Sequence, residues 1–125
     1  MIRLLEKKDK KQLNIIIKAA TKEEMFIIKK KIHLFGYFVD ESLVGIVGYF
    51  CHKRQKMIGF VSGFVLPEFR NSGIYKKLAN YRLNYCKENY KGFTIYVTAN
   101  SNSKPQLEKI GFTLVETQYR LKLKI

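Results

Sequence analysis

The chain has 125 residues, of which 46% are hydrophobic and 27% charged, a composition typical of one soluble globular domain. No apolar run approaches the roughly 20 residues of a membrane-spanning helix, and the N-terminal stretch carries acidic residues and no small-residue cleavage site, which argues against a signal peptide. The net charge of +14 favours anionic ligands of many kinds, but without a recognisable binding motif or an arginine-rich arm it does not favour nucleic acid as the partner.

The two cysteines, Cys51 and Cys86, show neither metal-ligand spacing nor a disulfide framework. Free, reduced cysteines are the ordinary state in the cytoplasm. We therefore expect a cytoplasmic protein of one domain, residues 1–125, without a metal and without contact to a membrane.

The first quarter of the sequence predicts a short strand followed by two helices. MIRLLEK is the candidate strand, and residues 9–32 carry apolar positions at helical spacing. Thr21 and Glu24 have the spacing of a capping box, which predicts that the second helix begins there. The apolar faces of the two helices are Leu13, Ile16, Ile17 and Ala20, and then Met25, Phe26, Ile28 and Ile32.

The middle of the chain predicts an antiparallel meander of three strands. Residues 34–40, 43–52 and 57–66 are rich in Val, Ile, Phe and Tyr and are separated by short polar turns. Gly59 and Gly63 interrupt the third of these strands, which favours a bulge or a close backbone approach.

The last part of the chain predicts helix, strand, helix and strand. Ile74, Leu78, Tyr81 and Tyr85 are spaced as the apolar face of a helix, and a helix of this length between strands predicts a crossover to a parallel strand at 93–100. KPQLEKIG is a short helix ended by Gly111, and residues 112–125 alternate as a final strand. The predicted order is β–α–α–β–β–β–α–β–α–β, an α/β fold with a mixed, mostly antiparallel sheet and one parallel pair in its middle.

The stretch PEFRNSGIYKK, residues 67–77, joins the third meander strand to the following helix. Pro67 ends the strand, Asn71 or Ser72 can cap the helix, and Gly73 permits a close approach or a positive φ. The first helix amides and the cation of Arg70 suit a phosphate-bearing ligand. The alternative is an ordinary strand-to-helix turn with a surface arginine.

Two segments together resemble the GNAT superfamily of N-acetyltransferases. VLPEFRNSGIYKKL is similar to the acetyl-CoA loop of that family, with matches at Arg70, Gly73 and Ile74, whereas Tyr75 stands where Gly or Ala is usual. VTANSNSKPQLEKIGF is similar to the later family motif, with Asn100 at the asparagine position and Ser103 at a small-residue position. The order of elements also fits, so the resemblance covers essentially the whole chain.

The resemblance implies acetyl-CoA as acyl donor and assigns the residues that bind it. The fourth and fifth strands splay apart, and the pantetheine arm lies between them against the backbone of Phe64, Val65 and Leu66. The resemblance implies that Asn100 reaches the pantetheine, that Ser103 belongs to the cofactor site, and that a bulge near Ser62 and Gly63 directs an amide at the thioester carbonyl. The pyrophosphate is held by the backbone amides of Arg70, Asn71, Ser72, Gly73, Ile74, Tyr75 and Lys76.

The resemblance leaves both proton transfers without an assigned residue. The tyrosine that usually protonates the leaving thiolate falls on Leu107, and Tyr96, Tyr119 and Ser103 remain open as substitutes. Glu68 in the loop is a weak candidate for the base, and His52 is a second candidate whose simpler interpretation is an exposed surface histidine. Tyr37 and Tyr49 on the meander are candidates for lining an acceptor pocket.

The resulting hypothesis is an acetyl-CoA-dependent N-acetyltransferase that acts, as a monomer or homodimer, on a primary amine of a small molecule or peptide by direct attack. The alternative is a GNAT-fold module that binds acyl-CoA without turnover, and the replacement at Leu107 favours it. A third reading, a basic protein associated with nucleic acid, depends only on the net charge.

Overall fold

A computed structural model of the protein describes residues 1–99, 101 and 103–125. The described strands are β1 (Ile2–Leu4), β2 (His33–Val39), β3 (Ser42–His52), β4 (Met57–Val65) and β5 (Thr94–Val97). The described α-helices are α1 (Lys10–Lys22), α2 (Ile74–Asn89) and α3 (Lys104–Lys109), and short 3₁₀ helices cover Lys7–Asp9 and Pro67–Phe69.

The five strands form one mixed sheet in the order β1-β2-β3-β4-β5. All neighbours are antiparallel except β4 and β5, which run parallel and are joined through α2 as the sequence predicted. The β2–β3 hairpin turns at Asp40 and Glu41, one residue earlier than predicted, with φ of 47° and 69°. These positive φ values at both turn residues are those of a tight hairpin whose twist matches its strands.

The helices α1 and α2 cover opposite faces of the sheet and give the molecule three layers. On the α1 face, one buried cluster comprises Ile16, Ala20, Leu34, Phe38, Leu43, Ile46 and Phe64. On the α2 face, the other cluster includes Phe35, Val47, Tyr49, Ile58, Phe60, Val65, Leu78 and Cys86. Period-2 alternation along β4 divides its side chains between the two layers.

The predicted second helix is wrong, because α1 ends at Lys22 and residues 23–32 contain no helix. Thr21 does not cap a new helix: its hydroxyl donates to the Ile17 carbonyl within the last turn of α1. Glu24 and Lys31 adopt positive φ, and Phe26 is 90% exposed. An apolar face without a sheet surface to cover gains little from helix formation. His33, which directly follows the predicted helix, is the first residue of β2.

The predicted final strand is also wrong, since residues 112–125 are described and contain no strand. This segment contacts the 23–32 region instead, where Lys122 pairs with the Glu24 carboxylate at 2.9 Å. The parallel pair therefore lies at one edge of the described sheet and not in its middle. The α/β class with a mixed, mostly antiparallel sheet is confirmed.

Candidate functional site

The two parallel strands separate halfway along β4. The last paired residues are Phe60 on β4 and Val97 on β5, yet β4 continues to Val65. Along residues 61–65, the β4 edge that faces β5 is therefore not covered by that strand. An uncovered strand edge presents backbone donors and acceptors to a ligand.

A bulge interrupts β4 inside this opening. Gly48 pairs with Val61 and Ile46 pairs with Phe64, so Ser62 and Gly63 on β4 lie opposite one residue of β3. Ser62 has a positive φ of 63°. Two residues against one define a β-bulge, and the bulge predicted near these positions is confirmed.

Beyond the bulge, the backbone amides and carbonyls of β4 point alternately to its two edges. The Leu66 amide donates to the Val44 carbonyl on β3 at 2.9 Å, so this amide points to the edge that pairs with β3. Alternation puts the backbone groups of Phe64 on the same edge and those of Val65 on the open edge. The Val65 carbonyl accepts a hydrogen bond from Arg70 Nε at 2.9 Å, which leaves its amide facing the opening.

The loop after β4 brings the N-terminus of α2 to the same opening. The N-cap of α2 is Gly73, with φ of 82°, and the first bond of the helix runs from the Lys77 amide to the Gly73 carbonyl at 3.0 Å. The preceding helix amides thus have no acceptor within α2. The predicted capping by Asn71 or Ser72 is wrong: no described side chain caps the N-terminus of α2, and the Ser72 hydroxyl donates to the Phe69 carbonyl.

The Arg70 side chain binds Glu23, the residue that follows α1. Its Nη1 and Nη2 donate to the two carboxylate oxygens of Glu23 at 3.0 and 2.7 Å, and its guanidinium lies 5.0 Å from the centre of the Phe64 ring. Hydrogen bonding between the two groups lowers the pKa of Glu23 and raises that of Arg70. The cation therefore connects the loop to the end of α1.

A cavity of about 540 Å³ adjoins the bulge. Ser62 closes one wall, because its hydroxyl donates to the Ile28 carbonyl and accepts from the Ile28 amide, both at 3.0 Å. The cavity is lined by Glu24, Met25, Phe26, Ser62, Gly63, Arg120, Leu121 and Lys122. It combines two cations and one carboxylate with apolar surface, so it can receive a polar molecule next to the bulge.

Helix α2 carries a buried arginine that the sequence analysis missed. Arg82 is 5% exposed, donates from Nη1 to the Gly48 carbonyl at 3.0 Å and stacks 4.0 Å from the centre of the Phe60 ring. The buried residues of α2 are Ile74, Leu78, Arg82 and Cys86, a strict spacing of four. This spacing was the available signal, and it was overlooked because an arginine occupies the third position.

The remaining candidates are scattered. Glu68 lies exposed in the 3₁₀ turn, and His52 lies exposed at the end of β3 against Phe50. Tyr96 on β5 is 46% exposed, and Tyr119 is 86% exposed in the C-terminal segment. Leu107 lies on α3, whose N-cap is Ser103, and Asn100 lies outside the described residues.

Tyr49 cannot line a pocket, because it is buried in the core and its hydroxyl is 3.0 Å from that of Tyr90. Burial also raises the pKa of the Cys86 thiol to about 11, so this cysteine stays protonated near neutral pH. Among the described residues, no group of three or more His, Cys, Asp or Glu side chains could hold a metal ion. None of the helices in the described ranges has the length and hydrophobicity that spanning a bilayer requires.

Comparisons with known proteins agree with this fold. Residues 5–122 match the family model described as "Acetyltransferase (GNAT) domain". No curated protein matches the sequence.

Solved structures of low sequence identity share the fold. An acetyltransferase from Trypanosoma brucei has a TM-score of 0.71 and 18% identity over 98% of this chain and 99% of that chain. A ribosomal-protein-alanine N-acetyltransferase from Brucella melitensis has a TM-score of 0.73 and 17% identity, with coverage of 98% and 99%. An aminoglycoside N-acetyltransferase in complex with CoA has a TM-score of 0.70 and 18% identity, with both chains covered fully at 100%.

Proposed function

Because the chain belongs to the GNAT acetyltransferase family, we propose that it transfers an acetyl group from acetyl-CoA to a primary amine of a small molecule or peptide. One observation carries the proposal. The uncovered edge of β4 lies between a bulge at Ser62–Gly63 and the N-terminus of α2, so an extended ligand with a phosphate at one end would meet the Val65 amide along the strand and the first amides of α2 at its phosphate.

The residues present fit acetyl-CoA. A Cβ built on Gly73 would meet no atom within 4 Å, so the loop leaves space for a pyrophosphate beside the first amides of α2. The Val65 amide faces the opening and suits the amide groups of a pantetheine arm. We assign the pyrophosphate contacts to the amides between Arg70 and Lys76. Contacts of Phe64, Leu66, Asn100 and Ser103 with the cofactor remain predictions from the resemblance.

The bulge and the cavity supply the remaining parts of the reaction. A backbone amide at Ser62–Gly63 would donate to the thioester carbonyl oxygen as negative charge develops on it. Such stabilisation of developing charge is usually the largest single contribution to lowering the activation barrier. The cavity that adjoins the bulge would hold the amine. The amine must lose a proton before it attacks, since an alkyl ammonium has a pKa of about 10.4. Glu68 stays a weak candidate for this step.

A catalytically silent acyl-CoA-binding module is the second candidate function. It is favoured by Leu107 at the position of the usual tyrosine and by the Tyr75 ring, which packs against Gly63 in the opening. Both functions require the same cofactor contacts, so only turnover separates them.

Two measurements on the full chain test the proposal. Isothermal titration with acetyl-CoA should give one site per chain, and acetyl-CoA at a hundredfold its Kd should raise the free energy of unfolding by about 2.7 kcal/mol. Release of free thiol should then be followed with spermidine, an aminoglycoside, glucosamine 6-phosphate and a peptide with N-terminal alanine. Absence of binding at millimolar acetyl-CoA contradicts both functions. Binding without thiol release from any amine supports the silent module.

The cellular location and the oligomeric state remain predictions from sequence, namely the cytoplasm and a monomer or homodimer. Size-exclusion chromatography with light scattering distinguishes the two assembly states.

A further inference from the structure

Tyr75 lies directly over the β4 bulge. A Cβ built on Gly63 would come within 2.8 Å of both the hydroxyl oxygen and a ring carbon of Tyr75. The side chain belongs to the first turn of α2, and the residue is 50% exposed. A phenol hydroxyl therefore lies beside the backbone that faces the reacting thioester in the proposed function.

Arg82 lies seven residues after Tyr75 on α2, which is two turns along the same helix face. Besides its bond to Gly48, Nη1 is 3.5 Å from the carbonyl of Val61, the first β4 residue beyond the pairing with β5. The guanidinium thus lies where the two strands part.

The Arg82 cation is incompletely satisfied in the described part of the chain. Its buried Nε has no hydrogen-bond partner, and no carboxylate forms an ion pair with it there. Burial lowers the pKa of Arg82, and interaction with the Tyr75 hydroxyl offsets part of this shift. A buried cation without a counter-ion favours any negative charge that forms nearby.

We propose that Tyr75 protonates the departing thiolate and that Arg82 stabilises the phenolate that results. The inference rests on the proposed function. The chain carries leucine at 107 where the resemblance expects the tyrosine, and tyrosine at 75 where it expects Gly or Ala. One tyrosine is thereby absent from the site and another is present at the bulge.

The neutral amine nitrogen forms a bond to the carbonyl carbon, and the C–S bond then breaks with its electron pair passing to sulfur. The Tyr75 O–H proton moves to that sulfur, so free CoA leaves as a thiol. The surplus proton of the former amine passes to solvent, and the Tyr75 phenolate regains a proton from solvent. No oxidant, reductant or metal takes part.

The experiment compares Tyr75→Phe with Tyr81→Phe by thiol release and by titration with acetyl-CoA. Tyr81 belongs to the same helix and contacts Phe35 in the core, so Y81F is the matched loss of a hydroxyl outside the site. We expect Y75F to lower kcat about 100-fold, the lower end for loss of a general acid, with the Kd for acetyl-CoA within about twofold. Y81F should retain wild-type kcat and Kd.

A double-mutant cycle tests the part of Arg82. If Arg82 acts through Tyr75, Arg82→Met lowers kcat in the wild type and adds less than about a twofold loss in the Y75F background. Arg82→Lys retains the charge and should restore part of kcat. A purely structural arginine would instead give losses that multiply and a matching fall in the melting temperature.

The outcomes separate the inference from the function on which it rests. A wild-type chain that fails to bind acetyl-CoA or to release thiol overturns both. A wild-type chain that turns over while Y75F equals it overturns the inference alone. Tighter acetyl-CoA binding and faster turnover in Tyr75→Ala would likewise overturn it, because Tyr75 would then be an obstruction in the opening.

Discussion

Arg70 and Glu23 are 47 residues apart in sequence and are joined by two parallel hydrogen bonds of 3.0 and 2.7 Å. The pair connects the loop at the N-terminus of α2 to the residue that follows α1. Both side chains are more than one-third exposed, so water and salt weaken their attraction. The relevance of the pair to the proposed acetyl-CoA binding is electrostatic, because the Glu23 carboxylate neutralises the Arg70 cation of the loop.

We therefore expect Glu23→Gln to tighten acetyl-CoA binding about threefold at low salt, since the Arg70 charge is then no longer offset beside the phosphates. Titration calorimetry at two salt concentrations measures the effect, which should shrink at the higher one. Glu88→Gln is the control, because it removes an exposed carboxylate near the far end of α2. An equal gain in E88Q would mean that net charge alone is responsible.

Gly73 and Gly92 provide a matched pair at the two ends of α2. Both have positive φ, 82° and 84°, and a Cβ on either would meet no atom within 4 Å. Alanine at either position should cost about 1 kcal/mol of unfolding free energy from backbone strain alone. Only Gly73→Ala should also weaken acetyl-CoA binding, because its methyl group lies beside the first helix amides. Unfolding in urea and titration calorimetry report the two effects, and equal acetyl-CoA affinity in G73A and G92A would disprove the loop assignment.

Gly63→Ala should place a methyl group 2.8 Å from the Tyr75 hydroxyl and ring. Because Tyr75 is half exposed and can move, we expect a loss of about 1 to 2 kcal/mol in unfolding free energy, at the lower end for overpacking. Tyr75→Ala removes the obstacle, so G63A should cost less in that background. Thermal unfolding of the four proteins forms the cycle. An undiminished cost in the Y75A background would show that the methyl group disturbs β4 itself.

The pair of Arg3 and Asp9 predicts a pH dependence of stability. Asp9 is 4% exposed, accepts hydrogen bonds of 2.8 Å from two Arg3 nitrogens and one of 2.7 Å from the Glu6 amide. The Arg3 hydrogen bonds, acting against burial, lower the pKa of Asp9 to about 2. Between about pH 4 and pH 2, the unfolded chain therefore binds a proton that the folded chain does not.

Stability from this carboxylate is complete above about pH 4 and is lost as the pH falls toward 2. We expect Asp9→Asn to have a lower free energy of unfolding than the wild type at pH 6. This difference should narrow as the pH falls from about 4 to 2. Urea unfolding at half-unit pH steps measures it. A constant difference down to pH 2 would contradict the assignment of the titration to Asp9.

The fold was largely predictable where hydrophobic pattern and tertiary contact agree. The meander and the crossover helix α2 follow from β-branched runs and from the spacing of Ile74 and Leu78, and the structure buries both residues. The bulge at Ser62–Gly63 was predictable because glycine inside a strand weakens regular pairing.

The predictions failed where a segment with the expected hydrophobic pattern has no surface to pack against. Met25, Phe26 and Ile28 have helical spacing, but they are 41%, 90% and 52% exposed, so burial does not stabilise a helix there. Leu121 and Leu123 alternate as in a strand and are 91% and 86% exposed. Alternation alone does not provide a hydrogen-bonding neighbour.

The candidate site was predictable in its backbone and not in its side chains. The Gly73 turn and the open strand edge follow from the motif, whereas the guanidinium of Arg70 turned out to bind Glu23, far away in sequence. Arg82 escaped notice because arginine is assumed to face solvent unless a partner is known. Sequence spacing does not reveal that the carbonyl of Gly48, far away along the chain, accepts a hydrogen bond from Arg82.

The Ser62 hydroxyl both gives and receives a hydrogen bond with the backbone of Ile28, as a neighbouring strand would. The segment whose residues Glu24, Met25 and Phe26 line the cavity is thereby joined to β4 at its bulge. Under the proposed function, an amine too large for the cavity would push Glu24, Met25 and Phe26 outward and strain the two Ile28 bonds, which would alter the direction of the bulge amides. We therefore expect that, under the proposed function, an oversized amine loses rate as well as affinity.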